Sequence, residues 1–305
     1  MRPRGPAAPW LMLGAALLFS MMAVCVKWAS TQYSAGELVF YRSLVGALYV
    51  VALARVRGTS LRTAVPGMHF WRCASGVISL TLWFYAIGGL PLATAVTLNY
   101  MSSVWMALFL IGGTVLLGAA RVDGRLVAAV LTGFAGVAFV LRPTFEQQQL
   151  WHGLAGLVSG LIAAMAYLQV TALGRAGEPE LRIVFYFSLG GLVIGGLWMA
   201  LQGVHGHSLR GVSLLLAIGL LATTAQVMMT RAYRIGRTLT NAALQYLGIV
   251  FSFIFGVLLF DDAVTWMALA GMTLIVIAGL AWFSLSGLGI MIVAFLLLQA
   301  FRDLR

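Results

Sequence analysis

Asn241, Gln245, Gly248 and Ser252 stand at i, i+4, i+7 and i+11, which is one face of an α-helix. In an otherwise apolar run that face is a polar stripe. A carboxamide withdrawn from water needs hydrogen-bond partners, so the stripe must meet another helix or a wet cavity. Ala95, Asn99, Ser102 and Met106 repeat the spacing earlier in the chain. Thr223, Gln226 and Thr230 form a third polar face, and Ser79 and Trp83 a fourth, with Tyr85 nearby. Tyr100, Tyr167 and Tyr246 carry hydroxyls on apolar bodies. Converging in one place, such groups would bind a small solute with a polar end and an apolar one. Spread along helix contacts, they would be interhelical glue and aromatic packing.

Two cations lie within apolar runs. Arg42 is six residues into its run, about 9 Å deep as helix. It either snorkels outward, paired with Glu37, or attracts an anion into a cavity. Lys27 falls near the far end of the first run, where it suits anchoring, with carboxylate binding as the other reading. None of the eight carboxylates lies deep. Glu37, Glu146, Asp261 and Asp262 fall towards one face, and Asp123, Glu178, Glu180 and Asp303 towards the other. Proton-driven carriers place an acidic or histidine relay inside the membrane, so facilitated diffusion or exchange is the better expectation. His69, His152, His205 and His207 fall in loops or at run ends, which makes a metal site improbable, and no G-x-x-x-x-G-K-[ST] pattern occurs. No nucleophile with a base stands at membrane depth. The expectation is no enzyme, no catalytic residue, no cofactor, no metal and no nucleic acid partner.

The elements that must position these residues follow from composition. With 62% hydrophobic and 9% charged residues over 305, the chain is a membrane protein, since soluble domains are about a quarter charged. Ten spans of about 20 residues leave no sizeable soluble domain. Apolar runs fall at 10–29, 37–54, 70–90, 93–117, 126–141, 153–173, 181–201, 212–232, 239–260 and 265–285. The first run carries Lys27 and Trp28 where a cleavage site would need small residues, so it reads as a retained helix. The net charge of +11 comes from arginines in alternate loops, including Arg55, Arg57, Arg72, Arg121, Arg125, Arg175, Arg182, Arg231 and Arg234. Arg142 and Arg210 oppose them. That asymmetry places both termini in the cytoplasm. Cys25 and Cys73 fall near opposite faces, so no disulfide is expected. The apolar stretch at 288–301 is short for a span and reads as an extension or interfacial segment.

The chain also resembles itself. VFYRSLVG at 39–46 meets VFYFSLGG at 184–191, an offset of 145. At an offset of 146, Ala86, Thr94, Leu98, Asn99 and Tyr100 meet Ala232, Thr240, Leu244, Gln245 and Tyr246. Asp123 precedes Gly133 by ten residues, as Asp261 precedes Gly271. Two halves of five spans follow, and because five is odd the second half enters the membrane from the opposite side. The expected fold is an all-α integral membrane protein of ten transmembrane helices in two inverted five-helix repeats. The expected divisions are a tail at 1–9, repeats at 10–142 and 153–285 joined by an exterior linker at 143–152, and a tail at 286–305. Inverted repeats place a substrate site between the halves near the midplane, with Asn99 and Gln245 facing one another across the axis. Gly156 with Gly160, and Gly191 with Gly195, have the G-x-x-x-G spacing of close helix packing.

Ten spans in inverted halves, an Arg six residues into the second span and an acidic residue ten before a Gly in each half together resemble the EamA-type branch of the drug/metabolite transporter superfamily, over about residues 10–285. Within it the chain is most similar to bacterial amino-acid exporters of the YddG type. The resemblance implies that four spans of each half line a central cavity and the fifth lies outside them. It also implies a bacterial inner-membrane exporter of small amphipathic metabolites, amino acids including aromatic ones foremost, working by alternating access. Relatives often carry proline in the fourth and ninth spans, where this chain has Ser102 and Gly248. Asn99, Tyr100, Gln245, Tyr246, Arg42, Ser79, Trp83, Ser102, Tyr167, Gln226 and Asn241 are the candidate lining. The alternatives are a broad drug/metabolite exporter, a sugar-nucleotide carrier needing several deep cations, and, in another class, an intramembrane enzyme or membrane scaffold.

Overall fold

The computed structural model describes residues 7–116, 132, 135–136, 139, 149–236, 241, 244–262 and 265–280. The helices among these are α1 (Ala7–Ala29), α2 (Ala35–Val56), α3 (Pro66–Gly89), α4 (Leu92–Tyr100) and α5 (Ser102–Leu116), then α6 (Leu150–Arg175), α7 (Glu180–Gln202), α8 (Leu209–Ile235), α9 (Leu247–Phe260) and α10 (Trp266–Leu280). No strand occurs among the described residues. Six of the described helices, α1, α2, α3, α6, α7 and α8, are long and apolar enough to cross a membrane. Apart from residues 132, 135–136 and 139, the expected span at 126–141 lies outside the described residues, as do Arg121, Asp123, Glu146 and the tail at 286–305.

Helix ends follow local chemistry. Ser34 and Glu37 form a reciprocal capping box that starts α2, which satisfies two orphan N–H groups. Pro66 stands in the first turn of α3, and Pro91 and Pro179 immediately precede α4 and α7. Proline suits a helix start because its missing N–H is unpaired there anyway. Gly58, Gly177 and Gly203 take positive φ just beyond α2, α6 and α7. α3 starts four residues before the apolar run itself begins, and this puts Arg72 more than one turn inside the helix.

The expected fourth span is two segments. A turn at Met101 separates α4 from α5, and a turn at Tyr246 precedes α9. Leu48, Phe70, Val193, Leu197 and Leu258 are exposed, whereas Arg42, Arg72, Asn99, Gln226 and Gln245 are buried. That is the distribution of a chain whose solvent is lipid.

The helices pair in a regular way. α2 runs along α7, α3 along α6 and α1 along α8, while α4 meets both α6 and α9, and α9 meets α1. Close approach depends on missing side chains. A Cβ on Gly46 would lie 3.0 Å from Ser188 Oγ, and one on Gly191 would run into Ser43 Oγ. A Cβ on Gly195 would sit 2.6 Å from the Phe40 backbone nitrogen, and one on Gly160 would sit 2.5 Å from Leu98 O. Both G-x-x-x-G spacings thus press a helix against a neighbour's backbone. Cys25 and Cys73 are free.

Candidate functional site

A cavity opens where α1, α3, α4, α6, α7 and α8 converge, beside Arg42 of α2 and Gln245. Arg42 lies seven residues into α2 and Arg72 six residues into α3, each about 10 Å along its helix. Because α2 and α3 are consecutive and joined by a short loop, they start from opposite faces. The two guanidiniums therefore reach towards each other from opposite ends of the bundle. Both lean on the Phe187 ring of α7, with Cζ 5.0 Å (Arg42) and 4.4 Å (Arg72) from its centre.

The polar wall is built as a relay. Asn99 Nδ2 donates to Ser159 Oγ at 3.0 Å, and Ser159 Oγ donates to Gly156 O at 2.6 Å. Ser79 Oγ donates to Ser159 O at 2.8 Å. One serine of α6 thereby fixes Asn99 of α4 and Ser79 of α3. Arg42 Nη2 donates to Gln226 Oε1 at 3.2 Å. Gln245 Nε2 faces Met229 Sδ at 3.5 Å, and Gln245 Oε1 has no partner. Trp83, Tyr100, Tyr167, Phe19 and Leu80 supply apolar surface. The cavity volume is about 50 Å³, room for about four waters at 10–15 Å³ each.

Of the candidate residues, Arg42, Ser79, Trp83, Asn99, Tyr100, Tyr167, Gln226 and Gln245 stand together around this cavity, and Tyr246, Ser102 and Asn241 do not. Asn241 Nδ2 donates to Ala232 O at 2.6 Å, so its amide closes the end of α8 instead. Ser102 follows the Met101 turn and is fully buried outside the cavity lining. Tyr246 packs in the apolar core with Ile249 and Met272, while Gly248 leaves the space that the Tyr100 ring occupies. Tyr85 is exposed and stacks on His152 at 4.3 Å.

Two electrostatic expectations are corrected, for Arg72 and Glu37. Arg72, assigned to an interior loop, is buried in the cavity wall, because α3 starts at Pro66. A Cβ on Gly76, one turn further on, would collide with Arg72 Nη1, so the bare glycine makes room for the guanidinium. Glu37 does not pair with Arg42. Its carboxylate accepts from Ser34 N at 2.8 Å and His205 N at 2.8 Å, and lies 2.7 Å from His205 Nδ1. Lys27 is not in the cavity. It pairs with Asp262 at 3.3 Å and donates to Leu90 O at 3.1 Å, while Asp262 Oδ2 accepts from Leu92 N at 2.8 Å.

That cluster ties α1, α4 and the end of α9 together on one face. On the other face Glu178 gathers His69 Nε2 at 3.1 Å, Arg182 Nη1 at 3.1 Å and Thr63 Oγ1 at 3.1 Å, and Arg234 pairs with Glu180 at 2.9 Å. Burial opposes ionisation of Glu178, but the hydrogen bonds from His69, Arg182 and Thr63 and the Arg182 charge outweigh it and hold its carboxyl below the ordinary range. Among the described residues no group of three or more His, Cys, Asp or Glu could hold a metal.

Phe187 was legible only as the repeat counterpart of Arg42, and Ser159 only as the polar residue within an apolar, glycine-spaced run.

Comparison with known proteins places this architecture. Residues 7–142 match the EamA-like transporter family. The pseudopaline exporter of Pseudomonas aeruginosa is 33% identical over 268 residues, covering 88% of this chain and 92% of that protein. A riboflavin transporter of Brucella anthropi is 24% identical, with 88% and 95% covered, and human solute carrier family 35 member G1 is 24% identical, with 84% and 73% covered. A solved crystal structure superposes with a TM-score of 0.69 at 18% identity, over 92% of this chain and 97% of that one, which is a likeness of fold. A multi-pass helical chain matching a transporter over nearly its whole length belongs to the EamA-like transporter family.

Proposed function

We propose that the chain is a bacterial inner-membrane exporter of small amphipathic metabolites, amino acids including aromatic ones foremost, working by alternating access through the cavity of Arg42, Asn99, Gln226 and Gln245. The observation that carries this reading is the cavity's two-sided chemistry. Guanidinium and amide groups suit a carboxylate and an ammonium, and Trp83, Tyr100 and Tyr167 beside them suit an apolar side chain. The export direction draws on the pseudopaline exporter at 33% identity. Facilitated diffusion or exchange fits walls in which the described carboxylates stay at the two faces.

Alternating access rests on a ten-span chain of two inverted repeats, residues 10–142 and 153–285, with both termini cytoplasmic and the Asp262 cluster exterior. The helix pairing supports it. Exchanging α1, α2, α3 and the fourth span with α6, α7, α8 and the ninth converts each of the principal pairs into another of them or into itself. The glycine contacts support it too: at an offset of 145, Gly46 on Ser188 is the counterpart of Gly191 on Ser43. Arg42 and Phe187, again 145 apart, touch each other, as counterparts beside a twofold axis must.

The test is counterflow in vesicles containing only the purified protein, with a radiolabelled amino acid and a panel of amino acids, amines and nucleosides as competitors. Aromatic and aliphatic amino acids are expected to exchange, and the Asn99→Ala, Gln245→Ala double variant to lose flux while still expressing. Exchange of amines or nucleosides alone would overturn the amino-acid reading.

A further inference from the structure

Arg42 and Arg72 are 3% and 2% exposed, and a guanidinium cannot shed its charge when buried. Neither has a carboxylate partner among the described residues. Glu37 is held by His205, Glu178 by His69 and Arg182, Glu180 by Arg234 and Asp262 by Lys27, and Asp261 is exposed. Gln226 is a neutral partner that takes one N–H of Arg42. Arg42 Nε and Arg72 Nε and Nη1 have no acceptor. Phe187 offers both cations a ring face, yet an aromatic quadrupole compensates only part of the cost of burying an unpaired charge. Both Cζ atoms lie within 5.0 Å of one ring centre, so they are less than about 10 Å apart. The cavity therefore holds two concentrated positive charges with donors aimed at nothing.

We propose that Arg42 and Arg72 form a two-guanidinium subsite for a solute that carries two negative charges within about 10 Å, as a short dicarboxylic acid or a phosphate monoester does. The proposal rests on the carrier reading and narrows its substrate class. A single carboxylate neutralises one guanidinium and leaves the other buried beside it. A dianion neutralises both and satisfies the idle donors with paired N–H···O bonds. Gly76 belongs to the subsite, since its missing side chain is what lets Arg72 lie along α3.

The experiment compares pairs that differ in charge: glutarate against its monoamide, of equal size with one charge fewer, and glycerol phosphate against glycerol phosphate methyl ester, a diester one methyl larger that holds a single charge. Each competes for exchange in vesicles, and each is added to the purified protein in detergent while its melting temperature is read. For the unaltered chain at least one dianion is expected to act at a tenfold or more lower concentration than its singly charged counterpart. Arg72→Gln is expected to erase that preference, so that the dianion and its counterpart act at similar concentrations, and Gly76→Ala, which displaces Arg72 without removing its charge, to reduce it. An Arg72-dependent preference confined to the phosphate or to the dicarboxylate assigns the subsite to that group. Equal action of both members of both pairs, or a preference unchanged in Arg72→Gln, overturns the subsite. Should Arg72→Gln fail to fold, Arg72→Lys and Gly76→Ala carry the same comparison. An Arg72-dependent melting shift without exchange would sustain the subsite while sinking the carrier reading.

Discussion

Gly160→Ala puts a methyl group where α6 crosses α4. The added carbon would stand 2.5 Å from Leu98 O and 3.0 Å from Asn99 O. Both are backbone atoms, so no rotamer change relieves the contact. Ordinary contact begins at 3.4 Å, so the helices must part by about 0.9 Å there. Overpacking of this kind costs about 1–3 kcal/mol, against a gain of about 1 kcal/mol from replacing a helical glycine by alanine. Gly196→Ala is the control, because it lies inside α7 and its Cβ would meet Phe40 at an ordinary 3.5 Å. The propensity gain is common to both variants, so their difference isolates the overpacking of about 1–3 kcal/mol. At about 2–4 °C per kcal/mol, Gly160→Ala should melt several degrees below Gly196→Ala in detergent. It should also slow exchange, since the displaced carbonyl belongs to Asn99. Equal melting temperatures would refute the close α4–α6 crossing.

Two further outcomes follow from the faces. Glu178 is depressed below the ordinary carboxylate range, so its contribution is complete above that range and is lost as pH falls through it towards the folded value. Glu178→Gln should destabilise the protein at neutral pH by about 1–3 kcal/mol and flatten the acid limb of a melting-temperature profile; an unchanged acid limb would argue against the Glu178 cluster. Asp262→Asn removes the partner of Lys27 in a half-buried pair, a loss of about 1 kcal/mol or less. It should increase the rate at which an impermeant thiol reagent reaches a cavity cysteine from the Asp262 face, and an unchanged rate would show that this cluster is no gate.

Asn99 and Gln245 were legible in the sequence because a carboxamide inside an apolar run has few explanations, and the offset between the halves made them a pair. The membrane class was legible from composition, since lipid tolerates so few charges. Arg72 was not, because the apolar run begins at Phe70 while the helix begins at Pro66, and those four residues separate an interfacial arginine from a buried one. Phe187 carries no polar atom, so nothing local distinguishes it from packing. Glu37 faces His205 across 168 positions, a pairing set by how α2 lies along α7 and not by any spacing. Asn241 shares a helical face with Gln245 on paper, but its amide is taken by the end of α8.

Alternating access through this cavity is tested most directly by a single cysteine at Ser79, in a chain whose Cys25 and Cys73 are replaced by alanine. Impermeant thiol reagents are applied from one side of oriented vesicles and then from the other, with and without a competing solute. Modification from both sides, slowed by the solute in each case, is the expected result. Modification from one side only, or from neither, would contradict a cavity that opens to both faces.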